Sequence, residues 1–200
     1  MNQVITDGLA LMPPAFSEGL SVWSRQDGTP GSDTWATAPN ATLVAADADF
    51  GACLEIVKTD TVTQIRYMGQ TPVLPGMYLR VSARLKVLSG SLPEARIAGW
   101  PADAGGERVT GLTVTGPVVA AAGYGEVVTV SAIVGGGSRT GVDLAWGNAP
   151  AYGHFGLDLT GPNSGQVRIE NLRIEDVTHV FHRKMMDWVD VVDFGAVGDG

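Results

Sequence analysis

The chain has 200 residues, 44% of them hydrophobic, with 27 glycines and 11 prolines. This composition supplies a core and excludes wholesale disorder, while its turn-rich punctuation suits many short strands better than helices. Charged residues are only 17% and the formal net charge is −8, which excludes general nucleic-acid backbone binding, since that needs a basic surface.

At the N-terminus, MNQVITDGLALMPPAF carries neither a basic leader nor a long apolar stretch, so no secretory signal is expected and synthesis is placed in the bacterial cytoplasm. No apolar run reaches the roughly 18–20 residues of a membrane helix, and no membrane insertion is expected. Pro13-Pro14 block a helix, so residues 1–18 read as an extended arm, with Met12, Pro13, Pro14 and Phe16 as its apolar anchoring contacts. Trp23, beside Val22, reads as packed, and Trp35 lies in the turn-rich GTPGSDTW segment. Weaker strand patterns follow at 41–46, 53–58 and 62–68. Cys53, between Ala52 and Leu54, reads as a small buried hydrophobe; a single thiol makes no intramolecular disulfide and no zinc site.

Beyond the Pro75-Gly76 turn, LRVSARLKV alternates strictly. Leu79, Val81, Ala83, Leu85 and Val87 share one face of a half-buried strand, with Arg80, Ser82, Arg84 and Lys86 on the other. The cations Arg80, Arg84 and Lys86 read as an outer face paired with cross-strand acids such as Glu55 or Glu175, or else as a surface for an acidic polysaccharide or subunit. Further strands are expected at 95–100, 108–115, 126–134, 142–146 and 155–159, Trp146 pointing into the core in phase with Val142 and Leu144. In QVRIENLRIEDV, the pairs Val167/Ile169 and Leu172/Ile174 share a face only if a bulge sits near Glu170-Asn171. Residues 179–188 have room for one or two helical turns. Eight or more short strands separated by turns define an all-β sandwich or barrel.

The last ten residues, VVDFGAVGDG, resemble the opening of pectate-lyase-like right-handed parallel β-helix proteins, the matching residues being Asp193, Phe194, Gly195, Ala196, Gly198, Asp199 and Gly200. PGMYLRVSARLKV and GQVRIENLRIEDV resemble strands of jelly-roll, galactose-binding-like modules. ITDGLALMPPAFSEGLSVWSRQDGTPGSDTW is similar to N-terminal regions of phage-like spike proteins, some of them from gene transfer agents. These resemblances imply an anchoring arm at 1–18, a jelly-roll sandwich at 19–177, a neck at 178–190 and the start of a β-helix at 191–200. They imply a virion spike or fibre on a phage-like particle that binds capsular or other surface polysaccharide of a host and contacts other spike, capsid or tail proteins. Such spikes are commonly homotrimers, with Phe181, Met185, Met186 and Trp188 then packing about the threefold axis. Jelly-roll modules often carry calcium, for which Asp27, Asp33, Asp47, Asp49 and Asp176 are possible donors; no other cofactor is implied.

Nothing in the chain spells a catalytic constellation. Asp143, Asp158, Glu170, Glu175 and Asp176 are scattered and read as solvated outer charges, His154, His179 and His182 lack a zinc spacing, and no Gly-x-Ser-x-Gly occurs. These residues are expected to be non-enzymatic, any lyase or hydrolase chemistry lying in downstream β-helix coils. Sugar binding needs exposed aromatic faces, and Trp35, Trp100, Tyr124 and Tyr152, in loops or near loop ends, are the candidates. A carbohydrate-binding accessory module of a polysaccharide lyase or hydrolase, and a spacer or oligomerisation domain, are the alternatives to a spike.

Overall fold

The computed structural model describes residues 8–136 and 141–179. The expected neck residues Phe181, Met185, Met186 and Trp188, and the β-helix residues Asp193, Phe194, Gly195 and Gly198, lie outside the described residues. In chain order the strands are β1 (Leu9–Ala10), β2 (Trp23–Ser24), β3 (Ala41–Val44), β4 (Cys53–Val57), β5 (Thr63–Tyr67), β6 (Thr71–Pro72) and β7 (Tyr78–Ser89). They continue with β8 (Glu94–Ala102), β9 (Thr115–Ala120), β10 (Val128–Gly135), β11 (Leu144–Ala145), β12 (Tyr152–Thr160) and β13 (Gln166–Asp176). They form two sheets. The first runs β11-β10-β7-β13-β4-β3, with β1 also on β13; the second runs β2-β5-β12-β8-β9, with β6 also on β12. The result is an all-β jelly-roll sandwich.

Alternation builds the core. Leu79, Val81, Ala83, Leu85 and Val87 of β7, Val130, Ala132 and Val134 of β10, and Val167, Ile169, Leu172 and Ile174 of β13 are all buried. They face Ile65, Ile97, Phe155, Leu157 and Leu159 of the second sheet, in one cluster that includes Trp23 and Trp146. Trp146 stacks on Phe155 with centroids 5.0 Å apart, as its phase predicts. The bulge in β13 falls where the hydrophobic phase requires it: the register with β7 shifts between Glu170 and Arg173, and Asn171 takes φ 55°, the left-handed region that Asn tolerates.

Two expectations are corrected here. Residues 108–115 are not a continuous strand; apart from an isolated bridge between Arg108 and Ala102, the chain pairs from Thr115, as β9 against β8. Asp103 turns the chain back instead, its Oδ1 accepting from the backbone N–H of Gly105 and Glu107. The strand includes Pro117, which the open edge of the sheet tolerates because no ladder donor is needed there. The second correction concerns the arm. From residue 8 it belongs to the sandwich: Leu9 and Ala10 pair with Asp176 and Glu175, and Leu11 donates to the Ile174 carbonyl. Phe16 is buried, its ring 4.7 Å from Trp23, so it closes the core instead of reaching for a partner. Met12, Pro13 and Pro14 border an open groove of about 600 Å³ between this segment and the β13 bulge.

Along the Arg80–Lys86 stripe on the outer face of the first sheet, charge is neutralised internally. Arg80 pairs with Glu175 at 2.9 Å, Arg84 with Glu170 at 3.3 Å, and Lys86 with Asp49 at 2.6 Å and with Asp47. Arg168 joins Asp47 and Glu55, and Phe50 lies under Arg84 and Lys86. The paired reading of the cation stripe therefore holds. Asp47 is the hub: the Lys86 ammonium, the backbone N–H groups of Asp49 and Phe50, and Arg168 hold its carboxyl far below the usual carboxylate range, against the opposing effect of burial.

At one end of the sandwich Lys58 is 0% exposed. Its ammonium donates to the carbonyls of Asp60 (2.6 Å) and Gly161 (2.9 Å) and to Asn163 Oδ1 (2.6 Å). One buried cation thus ties the β4–β5 turn to the β12–β13 turn, and so one sheet to the other. Lys58→Met leaves these oxygens desolvated and unpaired and is expected to cost about 3 kcal/mol, lowering Tm by roughly 6–12 °C; an unchanged calorimetric Tm would show that the turns hold without it. A carboxyl depressed on folding adds stability above its unfolded pKa, about 4, and that stability is lost as pH falls through the folded value. Thermal unfolding between pH 2 and 7 is therefore expected to show a shallower acid-side fall in Asp47→Asn than in the parent, and parallel curves would contradict the hub role.

Candidate functional site

The outer face of the second sheet differs from that of the first. Alternation places Gln64 and Arg66 of β5, His154, Gly156 and Asp158 of β12, and Arg96, Ala98 and Trp100 of β8 on this face. Register sets them side by side: Asp158 lies between Gln64 and Arg96, Gly156 between Arg66 and Ala98, and His154 beside Trp100. A groove of about 290 Å³ runs across these strands. Asp27 and Val62 border it, as do Arg108 and Val114 from the β8–β9 loop.

The floor is low because Gly156 is glycine: a Cβ there would stand 1.8 Å from the Ile65 carbonyl oxygen. Over it Arg66, 4% exposed, reaches Asp158, 2% exposed, and donates to the Leu157 carbonyl at 2.9 Å. Arg96 Nε donates to the second Asp158 oxygen at 3.2 Å. Asp158 was expected to be a solvated charge; it is instead buried between two guanidinium groups. Asp27 Oδ1 accepts from the Thr29 N–H (2.9 Å) and hydroxyl (2.8 Å). Both groove carboxylates therefore already hold internal donors, an arrangement suited to shaping a binding surface and not to general acid–base work across a bond.

Trp100 is half-buried, and the Arg108 guanidinium lies over its ring, 4.4 Å from the centroid. Its Nε1 is buried and has no hydrogen-bond partner among the described residues, and the same holds for Nδ1 of the buried His154. Burial pushes the His154 pKa below its ordinary value, partly offset by hydrogen bonds to backbone at Tyr67 and Gly69. Tyr152 lies two residues along the same face and meets His154 edge-on at 5.7 Å.

Of the four aromatic candidates, Trp100 lines the groove; Tyr152 lies diagonally from it on the same outward face, beyond the groove lining. Trp35 is 3% exposed, with its Nε1 donating to the Gln64 carbonyl at 3.1 Å; its ring is spent covering the β5 edge, so it offers no stacking face and that expectation is corrected. Tyr124 is 62% exposed, but it stands in the β9–β10 loop, its hydroxyl on the Gly90 carbonyl, and is not among the residues lining the groove. The five possible calcium donors do not converge. Asp47 and Asp49 hold Lys86, Asp33 holds Arg25, Asp27 holds Thr29 and Asp176 caps the Thr178 N–H. Among the described residues no three His, Cys, Asp or Glu side chains gather to hold a metal. Sequence reading missed Arg66, Arg96, Arg108 and His154; the available signal was polar residues at outward positions of strands otherwise rich in core residues.

No family model and no curated protein matches the sequence. Among solved structures, the chain resembles the CBM22-1 xylan-binding domain of Xyn10C from Paenibacillus barcinonensis, at 13% identity, covering 86% of this chain and 97% of that one, with a TM-score of 0.55. The tandem CBM22-1–CBM22-2 structure of the same protein gives 12% identity, 87% of this chain and 48% of that one, with a TM-score of 0.58. The C-terminal family 22 carbohydrate binding module of Clostridium thermocellum Xyn10B gives 12% identity, 84% and 92% coverage, and a TM-score of 0.52. At these identities the likeness is one of fold: the chain has the jelly-roll architecture found in carbohydrate-binding modules.

Removing one member of a buried pair strands the other. Asp158→Ala is expected to cost about 3–5 kcal/mol because Arg66 stays buried without its counter-charge, whereas Arg96→Ala, at the wetter edge of the cluster, costs under about 1 kcal/mol. Urea unfolding of both variants checks this, and equal losses would mean that the buried pair does not carry the floor.

Proposed function

We propose that the chain is a non-catalytic carbohydrate-binding module that holds a polysaccharide in the groove across β5, β12 and β8. The observation that carries this reading is the groove itself. An indole and the polar side chains of Gln64 and Arg96, over a floor made by the buried Arg66–Asp158 pair, share one outward sheet face on a jelly-roll fold. A pyranose needs just this combination, since it presents an apolar ring face and a rim of hydroxyls. The resemblance in fold to modules named for xylan binding supports a polysaccharide as the ligand class.

For the biological setting, we propose a spike or fibre of a phage-like particle of the gene-transfer-agent kind, recognising surface polysaccharide of a host cell and assembled as a homotrimer on other particle proteins. The sequence resemblance of residues 191–200 to a β-helix opening, and of residues 5–35 to phage-like spike proteins, supports this setting. An accessory module of a polysaccharide lyase or hydrolase is equally consistent with the fold, which resembles modules of Xyn10C and Xyn10B.

Affinity electrophoresis of the chain through gels containing different polysaccharides tests the binding role. At least one polysaccharide is expected to retard it, Trp100→Ala to weaken that retardation roughly tenfold, about 1.4 kcal/mol, and Tyr124→Ala to leave it unaltered. Retention that survives Trp100→Ala would move the site elsewhere, and free migration in every gel would end the carbohydrate reading.

A further inference from the structure

We infer that the groove is built for a carboxylated sugar, with Arg108 as the ligand of a uronosyl carboxylate. The inference rests on the carbohydrate reading above and narrows it to a substrate class. The groove is lined by three arginines, Arg66, Arg96 and Arg108, against two aspartates, Asp27 and Asp158, in a chain whose formal net charge is −8. The aspartates do not balance the third cation. Asp158 is shared by Arg66 and Arg96, and Asp27 is bonded to Thr29.

Arg108 is exposed and rests on the Trp100 ring. It forms no ion pair among the described residues, whereas Arg80, Arg84, Lys86 and Arg168 on the opposite sheet all hold carboxylates. The fold thus pairs four cations of the first sheet with carboxylates, leaves Arg173 there bonded to the neutral Asn171, and leaves Arg108, stacked on an indole, as the guanidinium without a counter-charge in the groove.

The chemistry of that guanidinium selects the ligand. Its planar fork matches a carboxylate with two parallel N–H···O bonds. A uronic acid carries a carboxylate at the edge of a ring whose face still suits an indole. The ring settles against Trp100 and Ala98 while Arg108 leaves the indole for the carboxylate. The exchange is favourable because a cation–π contact at an exposed site is weaker than a charge-assisted bidentate hydrogen bond. A neutral hexose would displace Arg108 from the ring and offer it hydroxyl acceptors but no counter-charge.

The experiment measures binding of the whole chain to polygalacturonate, alginate, heparosan, neutral xylan and dextran sulfate, at low and high salt. At least one polyuronate is expected to bind tenfold or more tighter than xylan and to weaken as salt rises. Arg108→Gln should lower that affinity at least tenfold, Arg108→Lys should restore only part of it, and Arg173→Gln, an equal charge change outside the groove, should leave it unchanged. Circular dichroism confirms that each variant is folded. Equal losses in Arg108→Gln and Arg173→Gln would reduce the effect to overall charge and overturn the inference. Dextran sulfate binding as tightly as the best polyuronate would overturn the carboxylate assignment. Xylan binding that depends on Trp100, with no polyuronate bound, would leave the carbohydrate reading standing and sink this one. Failure of all five polysaccharides would sink both.

Discussion

A guanidinium and a carboxylate buried together on the outward side of a sheet are the constraint on which the groove depends. Arg66 and Asp158 sit on neighbouring strands, β5 and β12, and both are nearly inaccessible to water. Desolvating two charges is expensive, and their attraction repays it only when the remaining hydrogen-bonding capacity is used. Here it is used: Arg66 also donates to the Leu157 carbonyl, and Arg96 takes the other oxygen of Asp158. Because Leu157 and Leu159 flank Asp158 and point into the core, the strand that carries this pair is fixed from its other side by apolar packing. Core and floor are two faces of one strand, so neither can shift without the other.

The two outer faces of the sandwich solve the problem of charge differently. On the first sheet Asp47, Glu55, Glu170 and Glu175 meet every cation of the Arg80–Lys86 stripe and Arg168, and the segment around Phe50 folds over them. Within that stripe the charge is paired internally, and the exposed Arg173 at the β13 bulge bonds the neutral Asn171. On the second sheet the same alternation produces a cluster with more guanidinium than carboxylate, and it lies beside an indole and beside buried ring nitrogens that lack partners. Buried polar groups are normally paired, and the Trp100 Nε1 and His154 Nδ1 are exceptions among the described residues.

How far the sequence announced this follows from which interactions are local. The alternation of Leu79–Val87, the inward phase of Trp146 and the bulge at Glu170–Asn171 are properties of short stretches, and all three appear in the structure. Residues 108–115 misled because Val109, Leu112 and Val114 suggest a strand, while the Asp103 turn and the availability of an open edge decide where pairing starts. Phe16 and Trp35 misled for a shared reason. Proline-rich or turn-rich surroundings suggest exposure, but a turn can deliver a ring to the core as readily as to water. The Arg66–Asp158 pair was out of reach, because its members are 92 positions apart and become neighbours only when β5 joins β12. Of the site, the sequence disclosed Trp100 as a candidate, with Tyr152 on the same face nearby; the arginines that surround Trp100 are legible only once the strands are paired.

The walls of the groove obey different rules from its floor. Residues 24–34 approach from one side closely enough that a Cβ on Gly28 would stand 2.6 Å from His154 Cβ, and φ 96° there also favours glycine. On the other side the loop between β8 and β9 brings Arg108 over Trp100, held by the Asp103 turn at its base. Neither wall has a hydrophobic period, and neither contributes to the sheet ladder over most of its length. A change in these loops therefore alters what the groove accepts at little cost to the sandwich, whereas a change at Asp158 or Gly156 disturbs the sheet that supports it. Specificity and stability are separated in this fold by the same division that separates loop from strand, and Arg108, a loop residue resting on a strand residue, stands at the boundary between them.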